Sequence, residues 1–256
     1  MYAKRLSLIG LRILNTRPLL QGYELNTLLE QAGATVIHIP ALEIVSLEFM
    51  HLLPNLSTVS CAIFISANAV EYFYQSVFAN MIAWPQHIKI VAIGQATAEK
   101  LSMYNLVANC VPLIANSENL LNLPELQLID QEEILLIKGV GGLNLIMPIL
   151  TKRGAHVIAL DVYQRIMPAY NAKLIKQIWQ QDTIDIILFT SQEAIYNIFT
   201  MFGDRAKSWL QNKACIVISE RLALSAQAMG IKSVIVCKLS KIIQTLQQCI
   251  RISDEI

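Results

Sequence analysis

Six short apolar runs in this chain end in small polar or basic residues, the types that could do chemistry. These are Thr16 and Arg17, Ser66 and Asn68, Gly94 to Thr97, Lys138 and Gly139, Ser191 and Gln192, and Ser219 with Arg221. Most of them open a helical pattern. Ser, Thr and Asn there are ordinary N-caps, each worth about 1 kcal/mol. Together they also offer rows of backbone N–H groups at helix N-termini, which attract carboxylates or phosphates. Plain capping and an anionic ligand both fit. Tyr163, in Val162-Tyr163-Gln164-Arg165, adds a group able to donate a proton to such a ligand. Its plainer role is an amphipathic packing residue whose hydroxyl reaches water.

Sharper signatures fail. Gly139-x-Gly141 follows an apolar run, but a dinucleotide fingerprint needs glycine where Asn144 stands. Asp161 sits about where a ribose-binding acid would, so a dinucleotide-using enzyme stays open behind a simple close-packing turn. There is no G-x-x-x-x-G-K-[ST], and neither Ser66 nor Ser191 lies in G-x-S-x-G. His38, His51, His87 and His156 lack ligand spacing, so no metal site is expected. Cys61, Cys110, Cys215, Cys237 and Cys249 form no C-x-x-C and are expected to be reduced and structural.

The elements that must position these residues repeat. Ile63-Phe64-Ile65-Ser66-Ala67-Asn68-Ala69-Val70 is echoed 125 residues later by Leu188-Phe189-Thr190-Ser191-Gln192-Glu193-Ala194-Ile195. Ile90-Val91-Ala92-Ile93-Gly94 is echoed at the same spacing by Cys215-Ile216-Val217-Ile218-Ser219. Gly33-Ala34-x-Val36-Ile37 matches Gly154-Ala155-x-Val157-Ile158. Short apolar runs alternating with helical stretches read as βαβ units with parallel sheets. Strands are expected at 11–16, 34–39, 61–66, 89–93, 107–111, 134–138, 156–161, 185–190, 214–218 and 233–237. That number suits two five-stranded lobes better than one sheet. The segments 36–46 and 157–168 stay extended past their strands and suit crossings between lobes. Ligands of open parallel sheets bind beyond the carboxyl ends of the strands, where the polar residues above lie.

Of the 256 residues, 54% are hydrophobic and 15% charged, with mean hydropathy +0.47, which excludes disorder. Twenty basic residues against 19 acidic ones give a net charge of +1, too balanced to coat nucleic acid. The longest uncharged window, Phe49 to Val70, contains His51, Pro54, Asn55, Ser57, Thr58 and Ser60, so no membrane span is expected. Arg12 cuts the apolar stretch after Lys4 and Arg5 to six residues, shorter than a secretory segment. A cytoplasmic protein is expected. No interaction stripe is visible, which favours a monomer, and Arg251 to Ile256 read as a polar tail.

Taken in order, Thr16-Arg17-Pro18, Gly33-Ala34, Phe64-x-Ser66-x-Asn68-Ala69-Val70 and Ala92-Ile93-Gly94-x-Ala96-Thr97-Ala98 resemble the uroporphyrinogen-III synthase family. So do Gly139-x-Gly141-Gly142, Gly154-Ala155, Val162-Tyr163-x-Arg165, Thr190-Ser191 and Ser219-x-Arg221-x-Ala223. The resemblance implies an α/β fold of two flavodoxin-like or Rossmann-like parallel-sheet lobes, joined by a two-stranded linker and crossed twice by the chain. One lobe would hold 1–37 plus 168–256, the linker ladder 38–49 and 157–167, and the other lobe 50–156. It implies cyclisation of hydroxymethylbilane, a linear tetrapyrrole, to uroporphyrinogen III in heme biosynthesis. Water is lost and ring D inverted, with no metal or organic cofactor, and the ligand is held between the lobes. It also implies a transient handover from hydroxymethylbilane synthase.

By the same resemblance Tyr163 assists departure of the terminal hydroxyl. Arg17, Ser66, Asn68, Gly94, Thr97, Lys138, Gly139, Ser191, Gln192, Ser219 and Arg221 are the expected substrate-binding residues. The chain departs from the family at Val140 and Leu143, where relatives carry an acid and a base, at Lys138, where arginine is common, and at Ile65, often threonine. A non-catalytic two-lobed binding module for a small anionic ligand is the competing expectation.

Overall fold

The computed structural model describes residues 7–141 and 145–254, with 249–254 as backbone only. The expectations placed on Lys4, Arg5, Gly142, Leu143 and Asn144, and on the side chain of Cys249, lie outside the described residues. In chain order the elements begin β1 (Arg12–Asn15), α1 (Leu19–Gln31), β2 (Thr35–His38), β3 (Glu43–Ser46), β4 (Cys61–Phe64), α2 (Ala67–Ala79) and β5 (Lys89–Ala92). They continue α3 (Gln95–Ser102), α4 (Ser117–Leu121), β6 (Glu133–Gly139), α5 (Ile146–Lys152), β7 (His156–Ile166), α6 (Ala172–Gln180) and β8 (Ile186–Phe189). Last come α7 (Gln192–Phe202), α8 (Asp204–Gln211), β9 (Ala214–Val217), α9 (Glu220–Ala228), β10 (Ser233–Val236) and α10 (Ile242–Asp254).

The chain divides into two compact units, Met1–Glu43 with Ile166–Ile256, and Ile44–Arg165. The first has a sheet ordered β10-β9-β8-β1-β2, with all four pairings parallel. Counted within that unit the order is 2-1-3-4-5, the flavodoxin pattern. The second has a sheet ordered β3-β7-β6-β4-β5, in which β4–β5, β4–β6 and β6–β7 are parallel. Its strands β4 to β7 repeat the first four places of that pattern, and the fifth, beside β7, is filled by β3 from the chain that enters the unit.

The inner strands β1, β4, β6, β8 and β9 are apolar on both sides, as a sheet covered by helices on both faces requires. In the first unit Leu14, Ile187, Phe189, Cys215 and Val217 pack against α6, α7, α8 and α9. The alternate residues Ile13, Ile186, Leu188 and Ile216 pack against α1 and α10. In the second unit Ala62, Phe64, Leu135 and Ile137 meet α2 on one face. Cys61, Ile63, Ile134 and Leu136 meet α4 and α5 on the other. Each such aliphatic or aromatic side chain stabilises by about 1.5–3 kcal/mol on full burial. The repeated Gly-Ala motif has a backbone cause. Gly33 (φ +99°) and Gly154 (φ +93°) adopt the left-handed turn that returns a helix into the next strand.

Three expectations change. Residues 107–111 form no strand, only a single bridge of Cys110 to Val91. The Asn109 side chain takes the Ile90 N–H at 2.7 Å, and Pro112 has no N–H to extend a ladder. The short β3, absent from the strands expected from the residues alone, lies beside β7, within the segment 38–49 that the resemblance assigns to a linker ladder. Residues 251–254, expected as tail, continue α10 to Asp254. The segment 157–167 falls almost wholly in β7, paired with β6 from Glu133 to Gly139. No described helix is long and apolar enough to cross a membrane. Among the described residues no group of three or more His, Cys, Asp or Glu could hold a metal ion.

Candidate active site

The expected site residues lie at the carboxyl edges of their own sheets. In the second unit they gather around one tyrosine. Tyr163 lies in β7, only 4% exposed, in the cluster that includes Phe64, Phe73, Leu160 and Val162. A bulge sets its direction. Lys138 is opposite Asp161 and Gly139 is opposite Tyr163, so β7 carries one extra residue, Val162. Bulges re-aim side chains in this way, and Val162 and Tyr163 enter the same core cluster although consecutive.

The tyrosine ring then passes over the end of β6. It can do so because residue 139 is glycine: a Cβ there would overlap the ring. Beyond β6 lies the end of β4, where Ser66 caps α2. Ser66 Oγ accepts the Ala69 N–H at 3.0 Å and lies 3.1 Å from Tyr163 Oη. Tyr72, on α2, stacks on Tyr163 with centroids 5.8 Å apart, and its hydroxyl donates to the Ile44 carbonyl of β3 at 2.7 Å. The Arg165 guanidinium lies 5.9 Å from the Tyr163 ring centre, within cation–π range. Ser66, Gly139 and Tyr163 are thus one cluster drawn from three strands.

The other expected residues of this unit have plainer settings. Lys138 Nζ donates to Asp161 Oδ1 at 2.7 Å and to the Gly139 carbonyl at 3.2 Å, so its charge is already matched. Asn68 lies half-buried in the first turn of α2. Gly94 is the N-cap of α3, where a Cβ would overlap Ala115, and Thr97 is 3% exposed one turn on.

In the first unit Ser191 caps α7, accepting the Ala194 N–H at 3.0 Å, and Ser219 caps α9, accepting the Leu222 N–H at 3.4 Å. Gln192 Nε2 donates to Tyr196 Oη at 3.1 Å, and Arg221 is exposed in the first turn of α9. Thr16, fully buried at the end of β1, donates to the Leu188 carbonyl of β8 at 2.6 Å. This is the point where the connections of the first unit's sheet reverse, the usual ligand position of such sheets.

Arg17 follows. Burial pushes its pKa below the usual arginine value, which the charge of Glu24 partly opposes, and its Nε is buried without a hydrogen-bond partner. Its backbone is clamped at both ends. Asn15 Oδ1 accepts the Arg17 N–H at 3.2 Å, and His38 Nε2 is 2.9 Å from the Arg17 carbonyl. A carbonyl only accepts, so His38 carries its proton on Nε2. Asn15 Nδ2 donates to Asn26 Oδ1 at 2.6 Å and to the Gly22 carbonyl at 3.3 Å.

Asn15, Asn26, His38 and Tyr72 did not figure among the expected residues. Asn15 alone had a visible signal, a polar residue closing an apolar strand. The described cysteines are free, and burial pushes the Cys61 and Cys215 thiols up to about 12.

A family profile described as uroporphyrinogen-III synthase HemD matches residues 23–243. The uroporphyrinogen-III synthase of Escherichia coli (strain K12) is 31% identical over 227 residues, covering 85% of this chain and 91% of that protein. That of Proteus mirabilis is 32% identical over 180 residues, covering 68% and 90%. A crystal structure of mutant uroporphyrinogen III synthase from the extremely thermophilic bacterium Thermus thermophilus shares the α/β fold. Its TM-score is 0.67 at 16% identity, covering 96% of this chain and all of that one.

Proposed function

The chain belongs to the uroporphyrinogen-III synthase family, and on that premise we propose how its residues carry out the reaction. The enzyme cyclises hydroxymethylbilane to uroporphyrinogen III in heme biosynthesis, losing water and inverting ring D. The substrate closes by itself to the unwanted I isomer. The protein's task is to hold the conformation that closes correctly, and positioning alone can supply much of the barrier reduction.

In this reading Tyr163 is the proton donor. The C–O bond of the terminal hydroxymethyl group breaks, its electron pair leaves with oxygen, and the phenol proton completes the water. The azafulvene cation left behind is attacked by the substituted carbon of ring D. The resulting spiro-pyrrolenine fragments and recloses with ring D inverted, and a ring-carbon proton is released as aromaticity returns. The observation that carries this is the fixed phenol: its ring is wedged over Gly139 and its oxygen held 3.1 Å from Ser66.

The acetate and propionate groups of the substrate need cationic and N–H donors. Arg17, with a buried and unpartnered Nε, is the strongest such group, and Arg221 is a second. The helix starts at Ser66, Asn68, Gly94, Thr97, Ser191, Gln192 and Ser219 would add N–H donors. Lys138 and Gly139 complete the set, with Lys138 shared with Asp161. Binding as a monomer, with transfer directly from hydroxymethylbilane synthase, belongs to the same proposal.

The test is chromatography of the oxidised porphyrin isomers formed from freshly generated hydroxymethylbilane by wild type and by Tyr163→Phe. Dominant III isomer from wild type, with its rate sharply lower in the variant, is expected. Unchanged turnover would remove Tyr163 from the mechanism. Only the I isomer from wild type, beside a working control synthase, would leave a non-catalytic binding module.

A further inference from the structure

We infer that Ser66 is a positioning residue that acts through Tyr163, setting the direction of the phenol proton. This rests on the reading of Tyr163 as proton donor. Ser66 Oγ has one proton and two lone pairs. The Ala69 N–H, which can only donate, takes one lone pair at 3.0 Å. Tyr163 Oη lies at 3.1 Å, with either oxygen able to donate. A phenol proton turned toward Ser66 is withheld from the substrate. A phenol proton turned toward the departing hydroxyl leaves a phenol lone pair facing Ser66, and the Ser66 O–H fills it.

The reacting arrangement therefore runs one way: Ala69 N–H to Ser66 Oγ, Ser66 O–H to Tyr163 Oη, Tyr163 O–H to the leaving oxygen. Bonds aligned in this manner strengthen one another. As the C–O bond breaks and the proton leaves with the oxygen as water, the phenolate keeps the Ser66 O–H as its donor. The N-terminus of the thirteen-residue α2 stands behind it. The phenolate recovers a proton when the reclosed macrocycle loses one from its ring carbon.

A capping serine needs none of this. Among the described residues the corresponding caps, Ser191 and Ser219, bond only to their own helices. Ser66 bonds to a residue 97 positions away, across an intervening strand. The contact exists only because of the bulge in β7 and the missing side chain at Gly139.

The experiment is a double-mutant cycle of Ser66→Gly and Tyr163→Phe, read as kcat and KM for the III isomer. Glycine keeps most of the capping benefit while removing the hydroxyl. Should it fold poorly, Ser66→Asp, an equally strong cap whose carboxylate can only accept, takes its place. Ser66→Gly alone is expected to lower kcat roughly tenfold with KM little changed, the size of one hydrogen bond. In the Tyr163→Phe background it costs nothing further. Ser66→Thr restores the rate.

Losses that multiply in the double variant, or a raised KM with kcat intact, would overturn the inference and make Ser66 a direct substrate contact. A Tyr163→Phe enzyme with wild-type kcat would sink the reading of Tyr163 itself, and the inference with it.

Discussion

The ring of Tyr163 fills the space that a Cβ on Gly139 would need. Neither residue has this property alone. The bulge that makes them partners turns the phenol across β6, and the glycine lets it through. Gly139→Ala should therefore displace the phenol from Ser66. We expect kcat to fall at least roughly tenfold and stability to drop by about 1–3 kcal/mol, the usual cost of overpacking. Isomer-resolved kinetics and urea unfolding measure the two effects separately. Wild-type kcat in a folded Gly139→Ala enzyme would mean that the phenol's position does not matter.

His38 reaches the reaction through Arg17. His38→Ala removes the donor that holds the Arg17 carbonyl at 2.9 Å. If Arg17 grips a substrate carboxylate, KM should rise roughly three- to tenfold, under about 1.4 kcal/mol, with kcat preserved. His38→Gln, whose amide nitrogen sits near the Nε2 position, should recover most of the loss. An unchanged KM in His38→Ala would detach this clamp from substrate binding.

Acid stability should depend on Asp185. Its hydrogen bonds with the Arg12 side chain hold its carboxyl below the usual carboxylate range, against the opposing effect of burial. Arg12 Nε and the Arg12 N–H both reach Oδ2, at 3.0 and 2.9 Å. A depressed native pKa means that the unfolded chain binds the extra proton. The stabilisation is complete well above the ordinary aspartate value of about 3.9, and fades as pH falls through that value toward the native one. Both partners are about one-third exposed, so solvent screening reduces the gain. Asp185→Asn should cost about 1–2 kcal/mol at neutral pH, a gap that closes on acidification. Urea titrations of both proteins at pH 7 and pH 3 test this.

The buried thiols should be inert. With Cys61 and Cys215 pushed up to about 12 by burial, only about one molecule in ten thousand holds either thiolate at pH 8. Alkylation followed by mass mapping should leave both unmodified in the native protein and modify both in denaturant. Rapid native labelling of either would contradict its buried setting.

What was legible in the sequence was local. Short apolar runs marked β1, β4 and β8, and the caps Ser66, Ser191 and Ser219 were readable because capping is settled within three residues. The same local logic overreached at 107–111. The run is apolar, yet the Asn109 side chain occupies the Ile90 N–H that a ladder would use. It fell short at Glu43–Ser46, too brief to be read as a strand from its own residues, although the family resemblance assigns that segment to a ladder. Nothing in the sequence could show that Ser66 meets Tyr163, or that His38 meets Arg17. Those contacts depend on strand order and on one bulge, which no local pattern carries.

The strand order also sets a timetable for synthesis. β1 pairs with β2 on one side and β8 on the other, and Arg12 bonds to Asp185 across 173 residues of chain. At about 5–20 residues per second, the ribosome takes roughly ten to thirty-five seconds to make that stretch. Throughout it one edge of β1 is unpaired and its apolar Ile13 and Leu14 are half-covered. The second unit, contiguous from Ile44 to Arg165, is complete before β8 emerges. The nascent chain therefore finishes its middle before its beginning, and residues 12–38 are the stretch that a chaperone has most reason to shield.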